Sequence, residues 1–233
     1  MEFHQKNMTV FRLNRDCTFP HPKHAESDGL LAVGGDLSAK RLINGYRDGI
    51  FPWYSEGDPI LWWYTHPRFV IYPDRFTAGK RLMRYWKKTS YTFTIDQAFS
   101  QVIGLCGSSR TGRGEETWIL PEMREAYGQL HELGYAHSVE CWDVDRLVGG
   151  LYGVELGGVF FGESMFSTVS NSSKFCLIYL VEQARKRGVQ LIDCQMTTRH
   201  LLQFGAVEIS GEKFYQHLQL LIADIGPQPA WKI

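Results

Sequence analysis

Residues 191–195 read LIDCQ. A carboxylate (Asp193), a thiol (Cys194) and an amide (Gln195) close an apolar run of strand type. An acid beside a thiol suits a nucleophilic cysteine, and the same two groups occur in metal sites. Strand alternation separates these options. Val189, Leu191, Asp193 and Gln195 fall on one face, and Gln190, Ile192 and Cys194 on the other. An acid-assisted thiol is then out of reach unless the strand bulges, and Cys194 reads as a small buried hydrophobe. Asp193 and Gln195 would sit about 7 Å apart at Cα, where they can reach one substrate or each other. The same pair equally suits a solvated strand end that caps the next helix.

Two further places carry chemistry. GESMFS, residues 162–167, ends a predicted strand with Glu163, which could bind a cationic group or make a surface ion pair. In TAGKRLMRYWKK, Lys80, Arg84, Lys87 and Lys88 recur at helical spacing, with Leu82, Met83 and Trp86 on the other side. Such a basic face could hold phosphates, or simply be solvated. The chain has no GxxxxGK[ST] phosphate loop, no GxGxxG opening a helix, no HExxH and no GxSxG. His66, His131, His137, His200 and His217 lack metal-ligand spacing. A coenzyme A loop would need RxxGxG or QxxGxG, and only Arg185–Gln190 comes near, without the last glycine.

The elements that must position these groups follow from punctuation and period. The first 28 residues read as loop, with Pro20 and Pro22. Asp36 or Ser38 can cap a helix running to about Asp48, ended by Gly49. FPWYSEGDPILWWYTHPRF is mostly loop with a short strand at 60–64. A domain boundary is expected at His66–Phe69. Beyond it, helices are predicted over the basic stretch, over 96–106 and over PEMREAYGQLHELG, whose apolar side is Met123, Ala126, Tyr127, Leu130 and Leu133. SSRTGRGEE between the last two reads as a flexible loop. Strands HSVECW, RLVGGLYGVEL and GVFFGESMF are joined by turns at DVDR and ELGG. A buried helix, SKFCLIYLVEQARKR, is capped near Asn171–Ser173 and stopped by Gly188. Strand VQLIDCQ, helix TTRHLLQFG, strand AVEIS and helix EKFYQHLQLLIADI complete the chain. This order predicts an α+β or mixed α/β layer with helices on a mainly antiparallel sheet, an order shared with acetyltransferase-like domains.

Composition narrows the function classes. The 233 residues are 44% apolar and 21% charged, as in a globular protein with a substantial core. Twenty-five basic residues balance twenty-five acidic ones, so net charge gives no support to a nucleic-acid partner beyond a local patch. The five cysteines (Cys17, Cys106, Cys141, Cys176, Cys194) are scattered without a CxxC pair, which argues for reduced thiols rather than a disulfide framework or zinc site. No signal peptide and no apolar run of membrane-spanning length are read, so a cytoplasmic, non-membrane protein is expected.

Several stretches converge on one family. GLLAVGGDLS, GIFPWYSEGDPILWW, ETWI, HELGYAHSVECW, LVGGLYGVELGGVFFGESMFS, LIDCQ and HLLQFGA together resemble the leucyl/phenylalanyl-tRNA–protein transferases, over about Gly29 to Ala206. The resemblance implies a small N-terminal α/β domain (1–68) and a larger acetyltransferase-like, GNAT-type domain (69–233). It implies transfer of Leu or Phe, less readily Met, from aminoacyl-tRNA to the α-amino group of proteins beginning with Arg or Lys, a mark for N-end rule degradation. No metal or cofactor, and a monomer, are expected. By match to the family, Asp193 and Gln195 are the catalytic pair. Gln195 would place the amine, and Asp193 would carry the charge that favours proton loss, since an amide is too weak a base to hold a proton. Leu151, Phe160, Met165, Leu177, Leu180 and Ile192 would line the amino-acid pocket. Trp53 and Trp118 would stack on the terminal adenosine, and Glu163 would meet the acceptor's Arg or Lys side chain. Lys80, Arg81, Arg84, Lys87 and Lys88 would hold the tRNA acceptor stem. Leu180 and Ala184 stand where some members carry Phe, and Thr198 where Asn is frequent. Two other readings compete: an acyl-CoA acetyltransferase, disfavoured by the missing loop, and a non-catalytic RNA-binding module.

Overall fold

The computed structural model describes residues 10–111 and 117–222. They form a mixed α/β fold of two sheets, with seven α-helices among the described residues. The first sheet joins β1 (Phe11–Leu13), β2 (Leu30–Gly34), β3 (Phe51–Pro52) and β4 (Leu61–Trp63) in the order β1-β2-β4-β3. Helix α1 (Ala39–Arg47) lies between β2 and β3 in the chain. Ser38 caps it by accepting from the Arg41 amide, and Gly49 follows it at φ 75°, a conformation glycine adopts freely. The expected helix and the short strand at 60–64 are therefore present. The N-terminal stretch differs from expectation, because Phe11–Leu13 pairs in parallel with Ala32–Gly34. Residues 1–9 lie outside the described residues.

The second sheet has the order β11-β5-β10-β9-β8-β7-β6. Its strands are β5 (Arg68–Ile71), β6 (Thr92–Ile95), β7 (Ala136–Asp143), β8 (Arg146–Leu156), β9 (Val159–Ser167), β10 (Leu191–Asp193) and β11 (Val207–Ile209). Its neighbours run antiparallel except β9 and β10, which are parallel. The mainly antiparallel sheet is thus as read, but β5 and β6 were not foreseen. β5 occupies the place expected to be a domain boundary, and it runs through the sheet between β11 and β10.

Helices cover both faces of this sheet. α3 (Phe99–Thr111) and α4 (Pro121–Glu132) pack on one side, and α5 (Ser172–Arg187) on the other. Neighbouring strand residues divide between these sides. Tyr152, Val154, Phe161 and Leu191 join the core that also holds Leu31, Trp62 and Phe214, whereas Leu151, Phe160 and Ile192 pack with Leu177, Leu180 and Val181 of α5. Strands buried on both faces read as near-continuous apolar runs, which is why LVGGLYGVEL shows little alternation. Each fully buried Leu, Ile, Val or Phe contributes about 1.5–3 kcal/mol, so burial rather than helix propensity holds α5.

The chain also holds α2 (Lys80–Trp86), α6 (Arg199–Leu202) and α7 (Gly211–Leu221). Three local readings change. Ser108–Thr111 continues α3, and the rest of the expected SSRTGRGEE loop, 112–116, lies outside the described residues. Leu133 is half exposed at the end of α4, because the helix has already stopped. Asn171 precedes α5 at φ 70° without a side-chain cap bond. The last turn expected for the terminal helix falls beyond residue 222, outside the described residues.

Candidate active site

A cavity of ≈ 310 Å³ opens where β9 and β10 part. Their parallel pairing ends at Asp193↔Phe161. Just beyond, β9 bulges against β8: Tyr152 pairs with Ser164 and Gly153 with Gly162, leaving Glu163 as the extra residue. A bulge re-aims a side chain. Gly153 is required there, since a Cβ on it would lie 2.2 Å from the Phe161 carbonyl oxygen. On the other strand, regular β structure stops at Asp193, and Gln195 takes φ 60°, a left-handed conformation costly for a residue other than glycine. Three bonds hold its backbone: its amide donates to Asp193 Oδ1 (2.9 Å), and its carbonyl accepts from the Phe69 amide (3.3 Å) and from Thr65 Oγ1 (3.4 Å).

Alternation therefore fails at Gln195. Asp193 and Gln195 are joined, but through the Gln195 backbone amide rather than as two side chains on one strand face. Cys194 keeps the face that alternation gives it, packing in the same cluster as Ile192. It lines the cavity too, and burial, helped by the Asp193 charge, pushes its thiol well up. A thiol so shifted is a poor nucleophile.

Asp193 is fully buried and already paired. Arg68, at the start of β5, donates Nε to Oδ1 (2.8 Å) and Nη2 to Oδ2 (2.7 Å). The same Nη2 reaches the Gly49 carbonyl at 3.0 Å, and the guanidinium lies over Phe214 (4.5 Å) and Phe51 (5.1 Å). Arg68 thus ties the end of β10 to the first sheet and to α7. Sequence reasoning missed it. The only available signal was an arginine heading the apolar run RFVI, since a buried arginine demands a carboxylate partner.

Glu163 has both oxygens occupied from inside. Oε1 accepts from Tyr46 Oη (2.8 Å) and Gln195 Nε2 (3.0 Å), and Oε2 accepts from Tyr127 Oη (3.1 Å). The Tyr46 and Tyr127 hydroxyls also contact each other. Desolvation raises the carboxyl to about 7, against the two tyrosine hydrogen bonds that lower it; Asp193 raises it further and Arg68 lowers it. Tyr46 on α1 was not singled out from the sequence, and Tyr127 was read only as part of an apolar helix side. The hydroxyl on a buried tyrosine was the overlooked signal.

Each residue expected to be catalytic or to bind substrate lines this one cavity: Trp53, Trp118, Leu151, Phe160, Glu163, Met165, Leu177, Leu180, Ile192, Asp193 and Gln195. The apolar members Leu151, Phe160, Leu177, Leu180 and Ile192 are buried between the sheet and α5, whereas Trp53 is 38% exposed at the rim. Thr198 and His200 line it as well; Thr198 caps α6 by accepting from the Leu201 amide. Lys80, Arg81, Arg84, Lys87 and Lys88 are elsewhere, exposed on and just after α2. Trp86 anchors that helix on Phe175 of α5, the helix whose next turns supply Leu177 and Leu180 to the cavity. No cluster of three metal-ligating side chains occurs among the described residues, and no helix among them is long and apolar enough to cross a membrane.

One largely apolar cavity with a carboxylate–amide–carboxylate–guanidinium chain at its wall is what an enzyme that orients a substrate beside buried charge would require. The sequence model of the leucyl/phenylalanyl-tRNA protein transferase family matches residues 70–219, and the model of that family's N-terminal domain matches residues 35–66. A leucyl/phenylalanyl-tRNA–protein transferase of Syntrophobacter fumaroxidans is 50% identical over 225 residues, covering 97% of this chain and 96% of that one. The protein of the same name from Magnetococcus marinus is 46% identical over 231 residues, with 97% of each chain covered. The chain belongs to this family and is an aminoacyl-tRNA–protein transferase.

Proposed function

We propose that this enzyme transfers leucine or phenylalanine, and less readily methionine, from aminoacyl-tRNA to the α-amino group of proteins beginning with Arg or Lys. The product would be marked for N-end rule degradation. One observation carries the reading: an apolar pocket closed by Leu151, Phe160, Leu177, Leu180 and Ile192 shares its space with the polar groups of Gln195 and Glu163. An unbranched-at-β side chain fits the apolar part, while the ester carbonyl meets the polar part.

The chemistry needs placement more than activation. An aminoacyl ester is already reactive, so holding an amine against its carbonyl can supply much of the rate. Gln195 donates Nε2–H to Glu163, which leaves its amide oxygen to accept from the incoming amine. Asp193, neutralised by Arg68, acts as a positioning residue that holds the Gln195 backbone in its left-handed turn. Trp53 and Trp118 stack on the terminal adenosine at the rim. The basic groups on and after α2 take acceptor-stem phosphates, an affinity that depends on salt and reads little sequence.

We read the chain as a small N-terminal domain to residue 68 and an acetyltransferase-like domain after it. In support, the two family matches fall on either side of 66–70 and the two sheets are separate. It would act as a monomer in the cytoplasm, where charged tRNA is drawn. The test is transfer of labelled Leu, Phe and Met from charged tRNA to peptides that differ only in a first residue of Arg, Lys or Glu. Transfer to the Arg and Lys peptides is expected. Equal transfer to the Glu peptide would overturn the acceptor assignment.

A further inference from the structure

Resting on the transferase reading above, we propose that Glu163 is the proton acceptor of the reaction, and that Tyr46 and Tyr127 close a ring of hydrogen bonds around the proton it takes.

The acceptor amine reaches the enzyme largely as an ammonium and must lose a proton before it can attack. Two carboxylates stand nearby, and geometry separates them. Asp193 is 0% exposed, with one oxygen shared by Arg68 Nε and the Gln195 amide and the other held by Arg68 Nη2. A proton placed there would compete with a bidentate guanidinium. Glu163 has no cation bonded to it among the described residues, projects from a bulge, lines the cavity and is bonded to the Gln195 side chain that receives the amine. An amine held by the Gln195 amide oxygen lies within direct or one-water reach of Glu163.

The three oxygen contacts around Glu163 count protons. Tyr46 meets Oε1, Tyr127 meets Oε2, and the two hydroxyls meet each other. Two hydroxyl protons cannot fill three contacts. When the carboxylate is ionised, one contact is left without a proton. When Glu163 is protonated, Oε2–H donates to Tyr127, Tyr127 to Tyr46 and Tyr46 to Oε1, so all three are filled. Taking a proton completes the cluster instead of disrupting it. The charged and titratable groups facing Glu163 are Tyr46 from α1, Tyr127 from α4, Asp193 at the end of β10 and Arg68 on β5.

The step balances. The ammonium gives one proton to the Glu163 carboxylate, and the free amine forms a C–N bond to the ester carbonyl carbon. The resulting tetrahedral species breaks its C–O bond to the tRNA ribose, and the second nitrogen proton goes to the departing ribose oxygen. Products are an amide, a ribose hydroxyl and protonated Glu163, which returns its proton to water as the product leaves.

The test is single-turnover transfer of leucine from Leu-tRNA to an Arg-initiated peptide, followed from acid to mildly alkaline pH. Wild-type rate should rise with pH along a limb near neutrality. Glu163→Gln should lower the rate constant about 10²–10⁴-fold and replace that limb with one at higher pH that follows the titration of the acceptor amine itself. At the alkaline end of the series hydroxylamine, an acceptor that is neutral there, should recover most of that loss. Tyr127→Phe removes a charge-assisted bond to the carboxylate, stronger than the neutral bond it also loses, so the limb should move to higher pH. The inference is overturned if Glu163→Gln keeps the wild-type limb, if its only effect is a raised KM for the Arg peptide, or if Tyr127→Phe leaves the limb in place. No transfer by wild-type enzyme would instead sink the transferase reading on which it rests.

Discussion

Arg68 and Asp193 form a bidentate ion pair of 2.8 and 2.7 Å, with side-chain exposures of 1% and 0%. The pair spans the first residue of β5 and the last of β10, and its carboxylate also accepts from the Gln195 amide. Breaking a buried pair leaves an uncompensated charge, so Arg68→Met or Asp193→Leu alone should cost about 3–5 kcal/mol in denaturant unfolding. The double variant should recover most of that stability, because apolar replacement of both partners is often neutral. It should not recover transfer, since the Gln195 amide then loses the carboxylate that fixes its left-handed turn. Full activity in the double variant would show that the pair is only a fold element.

Gln195→Ala should reduce kcat about 10–100-fold while leaving stability within about 1 kcal/mol, the scale of the side-chain hydrogen bonds lost. Steady-state transfer alongside a thermal melt checks this. An unchanged kcat would remove Gln195 from amine placement.

The pocket wall sets side-chain preference. Leu180 is 1% exposed and faces the cavity from α5. Leu180→Phe should fill space the substrate ring needs and lower the Phe-to-Leu ratio of kcat/KM by about tenfold, within the 1–3 kcal/mol that hydrophobic pockets discriminate. A ratio that does not move would place the amino acid elsewhere.

Charge reversal at Lys80 and Arg84 should raise KM for aminoacyl-tRNA alike for different tRNA bodies and make it less steeply salt-dependent. Variation of KM with potassium chloride gives the slope directly. A loss confined to one tRNA species would contradict a phosphate contact.

Glu163 also sets a stability signature. Its carboxyl lies near 4.5 when unfolded and is raised to about 7 when folded. The folded state then binds more protons between those values, so stability falls as pH rises from about 4.5 to about 7, by an amount of order 3 kcal/mol. Glu163→Gln should flatten that fall relative to wild type in urea titrations across the same range. Parallel curves for the two proteins would contradict the shift.

Much of this site was legible in the sequence, and the limits have physical causes. The strand-type run ending at LIDCQ was found, because Leu191 and Ile192 bury opposite faces. Where regular structure stops, period stops informing: Cys194 keeps the Ile192 face that alternation gives it, but Gln195 sits in a left-handed turn, so alternation put Asp193 and Gln195 together for the wrong reason. RFVI is apolar on both faces and flanked by Pro67 and Pro73, so period alone could not make it a strand. That hid Arg68, the partner of the most buried carboxylate in the site. The bulge at Glu163 depends on pairing between β8 and β9, a relationship absent from local sequence. The helical faces fared better, since Met123, Ala126, Tyr127 and Leu130 do bury together.

The central claim is that an aminoacyl ester is read in this cavity by its side chain and handed to a peptide amine. The most direct measurement is single-turnover transfer from one tRNA body charged with either Leu or Val to the same Arg-initiated peptide. With the tRNA fixed, only the pocket distinguishes the two. Leu should transfer at least about tenfold faster, as one methylene and a β-branch are worth about 1–3 kcal/mol there. Equal rates for Leu and Val would contradict the account.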